Sequence, residues 1–549
     1  MKLKYSFISF IISSSFIISC SCHKENVIDD VKNKYVGEDS FDETIEEVNS
    51  GYSKIDNVFS IDNFYSKYCN KIEASEEINT NFLPTTGSPN ILVIPIAFKD
   101  VTLEDDNQTI LSNIDAVINK EDKVEYESLC SYYKKSSFGK LDIKATISDI
   151  YTSKDTFESL NNAGNSSLLS DQIVVDATKW YFENNKNYSA FDINNDNYFD
   201  SIICIYLAPY NGYNDITYNN SSLFWAYVKS IYNIDSYIPN TSIKPGTYMW
   251  ASYYFLKNKN KELTARTIIH ETGHLLSLSD YYSLHYIDEK LEQSYKPLGD
   301  VDMMVGEVYD HNCYSKFVLD WTKPYLIDKE GSITISSSAI NGDCLLIPTS
   351  SYNNSSADEY LLLEYYTPTN LNEYDSKNVY VDRPKTPQIN KSGIKLYHVD
   401  SRIGLFSYMD GDDLYIKDIA NFDTSIITNS AGSKYVDYIY TNTPRGYGDS
   451  TGAIYTSYNR PLTLPDYDFE YEEYRLISII TPEGYNYSTG SKYFTNDSLF
   501  KNKGYTDFKD KTFLDQFPKE TFNNGSPFKY NFKIDSMTKD KCKITFTSI

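Results

Sequence analysis

The sequence predicts an α+β fold in two parts, a twisted sheet with helices at residues 88–325 and an all-β, sandwich-like region at 326–549. A run of apolar, β-branched residues at 91–98 is typical of a buried strand. An amphipathic pattern at 168–184 predicts a long helix. Beyond Pro324 the pattern changes to short alternating segments between turn-rich clusters, which favours a sandwich. At 549 residues the chain exceeds the length of one core, so we expect two or three domains.

The same patterns predict the remaining elements of the first part. Residues 124–135 have a helical pattern, and residues 140–146 alternate like a strand. Residues 201–207 and 248–254 are further strand candidates. If the last of these is an edge strand, it could hold an extended substrate by backbone hydrogen bonds.

Residues 1–19 have the features of an export signal. Lys2 and Lys4 precede an apolar, serine-rich run that is too short to span a bilayer as a mature helix. The run ends in a small residue and Cys20, which resembles a bacterial lipoprotein box. We therefore expect Cys20 to be lipidated and to anchor the chain to the outer face of a bacterial membrane. The alternatives are full secretion after an ordinary signal peptide and lipidation at Cys22.

Residues 20–87 are acidic and polar with little periodic hydrophobicity, which predicts a solvated tether. A propeptide is an alternative for the same residues, and Cys69 could then cap a metal as a latency switch. The cysteines beyond Cys22 show no paired spacing, so neither a disulfide framework nor a cysteine-based zinc site is indicated.

The net charge of the chain is −25, from 51 Lys and Arg against 76 Asp and Glu. This charge argues against nucleic-acid binding and against binding to anionic membranes by electrostatics. It favours solubility in an exposed, polar setting. We expect membrane contact through the lipid anchor only, and we expect a monomer.

The strongest chemical signal is the stretch His270-Glu271-Thr272-Gly273-His274, in a chain with only six histidines. Residues four apart on a helix share one face, so both imidazoles can reach one ion. Neutral imidazole suits Zn²⁺, and a carboxylate beside such a site can take a proton from metal-bound water. The spacing predicts zinc at His270 and His274, with Glu271 as general base. The alternative is a helix with two solvated histidines.

Asp280 lies ten residues after His270, the offset at which metzincin-type sites place a third ligand once the helix has ended. That ligand is usually His, but Asp is an acceptable zinc ligand. Ser277 stands where the motif normally has Gly, so the backbone needs another way to turn. The rival third ligands are Glu289 and Glu292, which we expect on a following helix.

Two adjacent methionines, Met303 and Met304, follow about thirty residues beyond the predicted zinc helix. Metzincins place a methionine turn beneath the metal, where a thioether fills apolar space. Ordinary core methionines are the alternative. Further on, His311 could act in catalysis by a hydrogen bond to the oxyanion as the peptide carbonyl is attacked. A structural role after the methionine turn is the alternative that we favour for His311.

A second candidate metal site lies at residues 192–200. Oxygen ligands alternate there on a tight loop, which suits a hard cation such as Ca²⁺. Asn197 takes the sharp-turn position usually given to Gly, and Asn tolerates that left-handed conformation. The position of the EF-hand Glu is Ile203, so we expect a shorter, structural calcium loop, with a chance run of acidic residues as the alternative. The candidate ligands are Asp192, Asn194, Asp196, Tyr198 and Asp200.

The chain resembles the immune inhibitor A-like zinc metalloproteases of bacteria. The resemblance includes residues 92–100, 131–141, 192–200, 270–282, 302–304, 310–321 and 393–400. It implies a secreted, calcium-supported zinc endopeptidase whose catalytic domain is a metzincin-like zincin. By position, His270, His274 and Asp280 would bind zinc. Glu271 would be catalytic, and Met304 would form the methionine turn.

From the sequence we expect an extracellular zinc endopeptidase that acts on protein or glycoprotein substrates. One alternative is a zinc hydrolase that acts on glycoproteins or peptidoglycan. Another is a non-catalytic surface lipoprotein whose β region binds host or matrix ligands. The intact Glu271 argues against the non-catalytic alternative.

Overall fold

The computed structural model describes most of the chain beyond residue 33. The described residues are 34–57, 83–163, 168–185, 187–231, 238, 241, 243–287, 290–352, 354, 356, 358–401, 405–410, 413–418, 438–440, 476–486, 492–517 and 519–549. The predicted export signal lies outside these residues, as do Cys20, Cys22, Cys69 and Glu289. Within the described ranges, no helix has the length and apolar character needed to cross a bilayer.

A six-stranded sheet organises the first half of the described chain. Its strands are β1 (Asn90–Ala97), β2 (Lys144–Ile147), β3 (Tyr151–Thr152), β4 (Ile202–Tyr206), β5 (Tyr227–Ser230) and β6 (Thr247–Ser252). The spatial order is β2-β1-β4-β6-β5, and β3 also pairs with β1. All pairings are parallel except β5–β6. Strands β1 and β4 are buried on both faces, which explains their continuous apolar sequences.

The strand expected at residues 248–254 forms as β6, and it is not the edge strand that would be needed to hold an extended substrate. Strand β6 lies between β4 and β5, with Tyr227 of β5 opposite Trp250. All four residues of β5 are half-buried, and two of them are polar. So short a segment has neither an apolar run nor a clear alternation by which a strand is recognised. Among the described residues, the edge strand on this side of the sheet is therefore β5.

Helices cover both faces of this sheet. They are α1 (Asn107–Asn119), α2 (Leu129–Ser136), α3 (Phe157–Asn162), α4 (Leu168–Asn184) and α5 (Arg266–Leu275). Ile110, Leu129 and Ile268, one each from α1, α2 and α5, share a core with Val93 of β1. Ile173 of α4 belongs to the core on the opposite face. Alternate residues of β1 thus face different helices, as the two-residue period of a strand requires.

The predicted helix at 168–184 is confirmed as α4. The helix predicted at 124–135 begins later, at Leu129. Ser128 has an extended backbone, and its side chain accepts a hydrogen bond from the N–H of Ser131. This N-cap starts the helix at the next residue, because it satisfies one of the free N–H groups of the first turn.

The backbone beyond α5 forms a hairpin rather than the expected helix with Glu292. Its strands are β7 (Ser283–Ile287) and β8 (Lys290–Tyr295). Apolar and polar residues alternate over short runs there, which favours strands over a helix. Two short helices follow, α6 (Met303–Gly306) and α7 (Cys313–Val318).

Small sheets form the second half of the described chain. One has the order β17-β13-β12-β11-β9, the next β10-β19-β18 and the last β15-β14-β16. Their strands are β9 (Tyr325–Leu326), β10 (Gly331–Ser336), β11 (Cys344–Pro348), β12 (Glu359–Tyr366), β13 (Gly393–Asp400), β14 (Leu405–Asp410), β15 (Asp413–Asp418), β16 (Tyr438–Tyr440), β17 (Ile477–Ile480), β18 (Tyr530–Met537) and β19 (Lys541–Ser548). The helices here are α8 (Ser338–Asn341), α9 (Glu373–Lys377) and α10 (Lys511–Leu514).

The sheet that contains β12 is buried on both faces. Leu361 and Leu363 share a core with Ile534 of β18, so the two larger sheets of this half pack face to face. Leu362, which points the other way, joins the core that contains α5. The second half thus contains two sheets packed on each other, and one of them also shares a core with the first half. The expected boundary at residue 325 therefore separates two kinds of sheet but not two cores.

Residues 34–57 differ from the solvated tether predicted for 20–87. Tyr35 and Tyr52 are buried in the core between the C-terminal sheets. The backbone of this segment hydrogen-bonds to β10, where Asn49 pairs with Ile333. The acidic composition concealed this packing, because a few well-placed aromatic side chains suffice to fix a segment whose average is polar.

Arg266, the first residue of α5, connects the two halves of the chain. Its guanidinium is fully buried and donates to Asp375 of α9 through both terminal nitrogens, at 2.8 and 3.2 Å. Its Nε lies 3.3 Å from Glu125, and the rings of Tyr126 and Tyr380 lie 4.4 Å from the guanidinium carbon. Because an unpaired buried charge is costly, each partner of this cluster depends on the others.

We predict that Arg266→Met lowers the free energy of unfolding by about 3–5 kcal/mol, since it leaves Asp375 buried without its cation. The measurement is urea unfolding followed by tyrosine fluorescence. Arg383→Met is the matched control, because Arg383 is 41% exposed and its ion pair with Glu307 should contribute less than about 1 kcal/mol. Equal effects of the two substitutions would contradict the role of Arg266.

Candidate metal centre

Helix α5 places His270 and His274 one turn apart on the face that lines a cleft. Nδ1 of His270 lies 2.9 Å from the carbonyl oxygen of Met303, and Nδ1 of His274 lies 2.7 Å from that of Leu278. A carbonyl can only accept, so each Nδ1 carries the hydrogen and each Nε2 of the neutral ring keeps a lone pair. Metal-ligating histidines are oriented by hydrogen bonds of this kind.

The chain turns sharply after α5 and brings Asp280 back to the imidazoles. The N–H of Ser277 donates to His274 O and the N–H of Leu278 donates to Gly273 O, both at 2.8 Å. This pair of bonds is a Schellman motif, which requires a left-handed residue at the first position beyond the helix cap. Ser277 adopts it with φ of 71°. The serine therefore makes the turn usually made by glycine, at a cost in backbone strain.

The three predicted ligand side chains converge. Oδ1 of Asp280 lies 3.1 Å from Nε2 of His270 and 3.5 Å from Nε2 of His274. In a tetrahedral zinc site with bonds of 2.0–2.1 Å, two ligand atoms lie about 3.3 Å apart. One of the two distances given above is shorter than this separation and the other is longer. The group of three is the one close cluster of potential metal ligands found among the described residues.

Asp280 Oδ1 has no hydrogen-bond partner among the described residues, although it is buried. The two Nε2 atoms lie 3.1 and 3.5 Å from it, but each neutral ring carries its hydrogen on Nδ1. A buried carboxylate oxygen without a partner is costly, and a cation between the three atoms would remove that cost. The donor set, two imidazoles and one carboxylate, therefore fits zinc. Of the rival ligands, Glu289 is outside the described residues, as is the side chain of Glu292.

The three candidate ligand side chains also shift the pKa values of one another. Burial lowers the pKa of His270, but the Asp280 carboxylate outweighs burial and raises that pKa to about 10. Burial raises the pKa of Asp280, but the two imidazoles outweigh it and hold that pKa below its usual range. The site thus favours a positive charge at the point where the three side chains meet, and a metal would compete with protons for it.

A short turn that contains Met303 and Met304 packs against α5. It is the one-turn helix α6, which Asp302 caps by accepting a hydrogen bond from the N–H of Met304 at 2.8 Å. Gly273 packs so closely on the sulfur of Met304 that a Cβ on the glycine would overlap it. The neighbouring carbonyl of Met303 orients His270. The turn thus supports the helix by packing and the ligand by a hydrogen bond.

A cleft with a volume of about 350 Å³ opens onto the three ligands and Glu271. All four residues of the edge strand β5 line it, as do Trp225, just before β5, and Tyr282. Burial raises the pKa of Glu271, which brings its proton affinity closer to that of a general base near neutral pH. Sequence analysis missed β5, Trp225 and Tyr282. The signal available for Tyr282 was its place two residues after Asp280.

His311 does not line the cleft. Its ring is buried and lies 5.6–6.0 Å from those of Tyr132, Tyr133 and Trp321. Neither ring nitrogen has a hydrogen-bond partner among the described residues. Burial lowers the pKa of His311 well below its usual value, so the ring is neutral. The position agrees with the structural alternative and offers no contact with a substrate in the cleft.

The carboxylates of the acidic loop at residues 192–200 accept hydrogen bonds from the backbone of the same loop. Asp192 accepts hydrogen bonds from the N–H groups of Asp196 and Asn197, at 3.0 and 3.2 Å. Asp196 accepts from the N–H of Tyr198 at 2.8 Å and from the side chain of Asn194 at 2.9 Å. Asn197 has φ of 69°, the left-handed conformation predicted for it.

Asp200 is the other acidic residue predicted to bind calcium. Its Oδ1 accepts from the N–H of Ile193 at 3.1 Å, and its buried Oδ2 has no hydrogen-bond partner among the described residues. Burial raises the pKa of Asp200 to about 6. The loop carboxylates do not form a close cluster of the kind found at Asp280. Calcium binding by this loop stays a prediction.

No protein-family model matches the chain, and no curated protein sequence matches it. The resemblance to the immune inhibitor A-like proteases therefore stays a prediction from the motifs.

We predict that Ser277→Gly stabilises the protein by up to about 1 kcal/mol, because glycine adopts a positive φ without strain. The gain is limited by loss of the hydrogen bond from the serine hydroxyl to Leu276 O. Calorimetry of the metal-free and zinc-loaded protein measures the change. Ser279→Gly is the control, since Ser279 has no left-handed backbone and the added flexibility should only destabilise. Equal destabilisation by both changes would contradict the strain at Ser277.

Proposed function

We propose that this protein is an exported, zinc-dependent endopeptidase. The observation that carries the proposal is the convergence of His270, His274 and Asp280 in a cleft that also contains Glu271. When bound, zinc would act as a Lewis acid on water and on the scissile carbonyl. The α+β architecture, with a helix across a sheet whose edge strand borders the cleft, is compatible with a metzincin-like catalytic domain.

Glu271 has the position required of a proton carrier. It follows the first ligand on α5, is buried, and lines the cleft beside both imidazoles. Its carboxylate would take a proton from the attacking water and deliver it to the leaving amine nitrogen. The reaction balances. The hydroxyl of the water joins the carbonyl carbon, the C–N bond breaks, and the proton taken from the water ends on the amine nitrogen.

The edge strand β5 can bind the substrate backbone. It is the terminal strand of its sheet and pairs with β6 on one side, and its residues line the cleft. A peptide in extended conformation can add to such an edge through backbone hydrogen bonds. This mode needs no particular side chains, so it supports a protein substrate rather than a small molecule.

We further propose that residues 1–19 direct export and that lipidation at Cys20 anchors the protein to the outer face of a membrane. The supporting observations are the apolar run and the cysteine that follows it. A calcium ion on the acidic loop would stabilise the entry to β4, since Asp200 lies two residues before that strand.

We predict that Glu271→Gln lowers kcat/KM for casein by about 10²- to 10⁴-fold, because the amide cannot accept the proton from water. Zinc content, measured by mass spectrometry of the metal, should stay at one equivalent. Chelation should abolish wild-type cleavage. A mucin-type glycoprotein tested in parallel, with and without its glycans, distinguishes a protease that requires sugars from one that does not.

Glu183→Gln is the matched control, because Glu183 is exposed on α4 and does not line the cleft. It should cleave casein at the wild-type rate. Unchanged cleavage by Glu271→Gln would rule out the proposed proton carrier. Absence of cleavage by the wild type with zinc bound would favour the non-catalytic alternative.

A further inference from the structure

Trp225 is an exposed tryptophan in the candidate active-site cleft. It is 48% exposed, whereas Trp250 and Trp321 are at most 1% exposed and lie in the core. Trp225 lines the same cleft as Glu271 and the metal-ligand residues. A large apolar ring left in solvent at such a place forgoes the free energy of burial, which a ligand that covers the ring would recover.

The ring of Trp225 is held in place by other aromatic rings. It meets Phe255 edge to face at 5.6 Å and 84°, and Tyr210 at 5.7 Å and 88°. Tyr210 and Phe255 are stacked on each other at 4.0 Å and 9°. A side chain already ordered by its neighbours loses little conformational entropy when a ligand covers it. The three residues form an aromatic platform, and Trp225 is the member of it that lines the cleft.

The edge strand decides which part of a substrate meets this platform. Strand β5 runs from Tyr227 to Ser230, and Trp225 precedes it by two residues. A peptide paired antiparallel to β5 runs the other way, so its C-terminal residues lie beside Trp225. Where the bond to be cleaved lies beside β5 itself, the platform therefore faces residues that follow that bond.

The charges of the cleft disfavour an acidic side chain on the platform. Lys229 is the basic side chain, apart from the histidines, that the described structure places in the lining, and its Nζ lies 2.7 Å from the buried Asp171. An acidic substrate side chain would thus find no unpaired cation, whereas an aromatic or large aliphatic side chain would bury its surface on Trp225.

We propose that Trp225 forms a specificity subsite that selects a large apolar or aromatic side chain on the C-terminal side of the scissile bond. This inference depends on the proposed endopeptidase function. It names a substrate preference that the zinc ligands and Glu271 do not provide.

The test is cleavage-site profiling of a peptide library by mass spectrometry, with the full-length zinc-loaded protein. In the peptides that the wild type cleaves, one of the first three positions after the scissile bond should be enriched in Phe, Tyr, Leu, Ile or Met. Trp225→Ala should lose this enrichment. For a pair of peptides with Phe or Ala at that position, the wild-type preference in kcat/KM should be about 10- to 100-fold and should fall to near unity in the variant.

Two controls separate this subsite from a general defect. Trp225→Phe keeps an aromatic ring and should keep the preference. Ile216→Ala removes an apolar side chain that is 37% exposed but does not line the cleft, and it should change neither rate nor preference. In Trp225→Ala, kcat/KM should fall more for the phenylalanine peptide than for the alanine peptide, because only the phenylalanine side chain covers the ring.

Cleavage without apolar enrichment, or enrichment retained in Trp225→Ala, would overturn the subsite while leaving the endopeptidase intact. Enrichment before the scissile bond, or a requirement for a glycosylated residue at the platform, would also overturn it. Failure of the wild type to cleave any peptide would instead contradict the proposed function, and the subsite with it.

Discussion

The turn at the end of α5 is the constraint on which the candidate site depends. Two imidazoles on one face of a helix need no more than the four-residue spacing, but a third ligand must come from a chain that has left the helix. The Schellman hydrogen bonds at Gly273 and Ser277 provide that exit and bring Asp280 within 3.5 Å of both histidines. The left-handed Ser277 makes this turn at a cost in backbone strain. That strain lies at the residue that sets the geometry of the candidate site.

The helix that carries the ligands is fixed from several directions. Met304 packs on Gly273 from below, and Met303 orients His270 through its carbonyl. At the other end of the helix, the buried Arg266 joins it to Asp375 in the second half of the chain. The C-terminal sheets therefore share in the stability of this helix, and one core includes residues from both halves.

Local sequence patterns predicted much of this arrangement because the periods involved are short. The buried strand β1, the helix α4 and the zinc motif each depend on residues within one element. The edge strand β5 was missed because four half-polar residues acquire strand character only by pairing with β6. The packing of residues 34–57 and the burial of His311 depend on contacts with residues that are distant in sequence. Composition and spacing do not encode such contacts. Asp280 was predicted from its offset, because the turn after the helix is itself a local structure.

X-ray absorption at the zinc edge, on protein reconstituted with one equivalent of Zn²⁺, tests the central claim most directly. The account predicts a first shell of nitrogen and oxygen at about 2.0–2.1 Å with scattering from two imidazole rings, and loss of one oxygen donor in Asp280→Ala. Sulfur at about 2.3 Å, fewer than two imidazoles, or an unchanged spectrum in Asp280→Ala would contradict it.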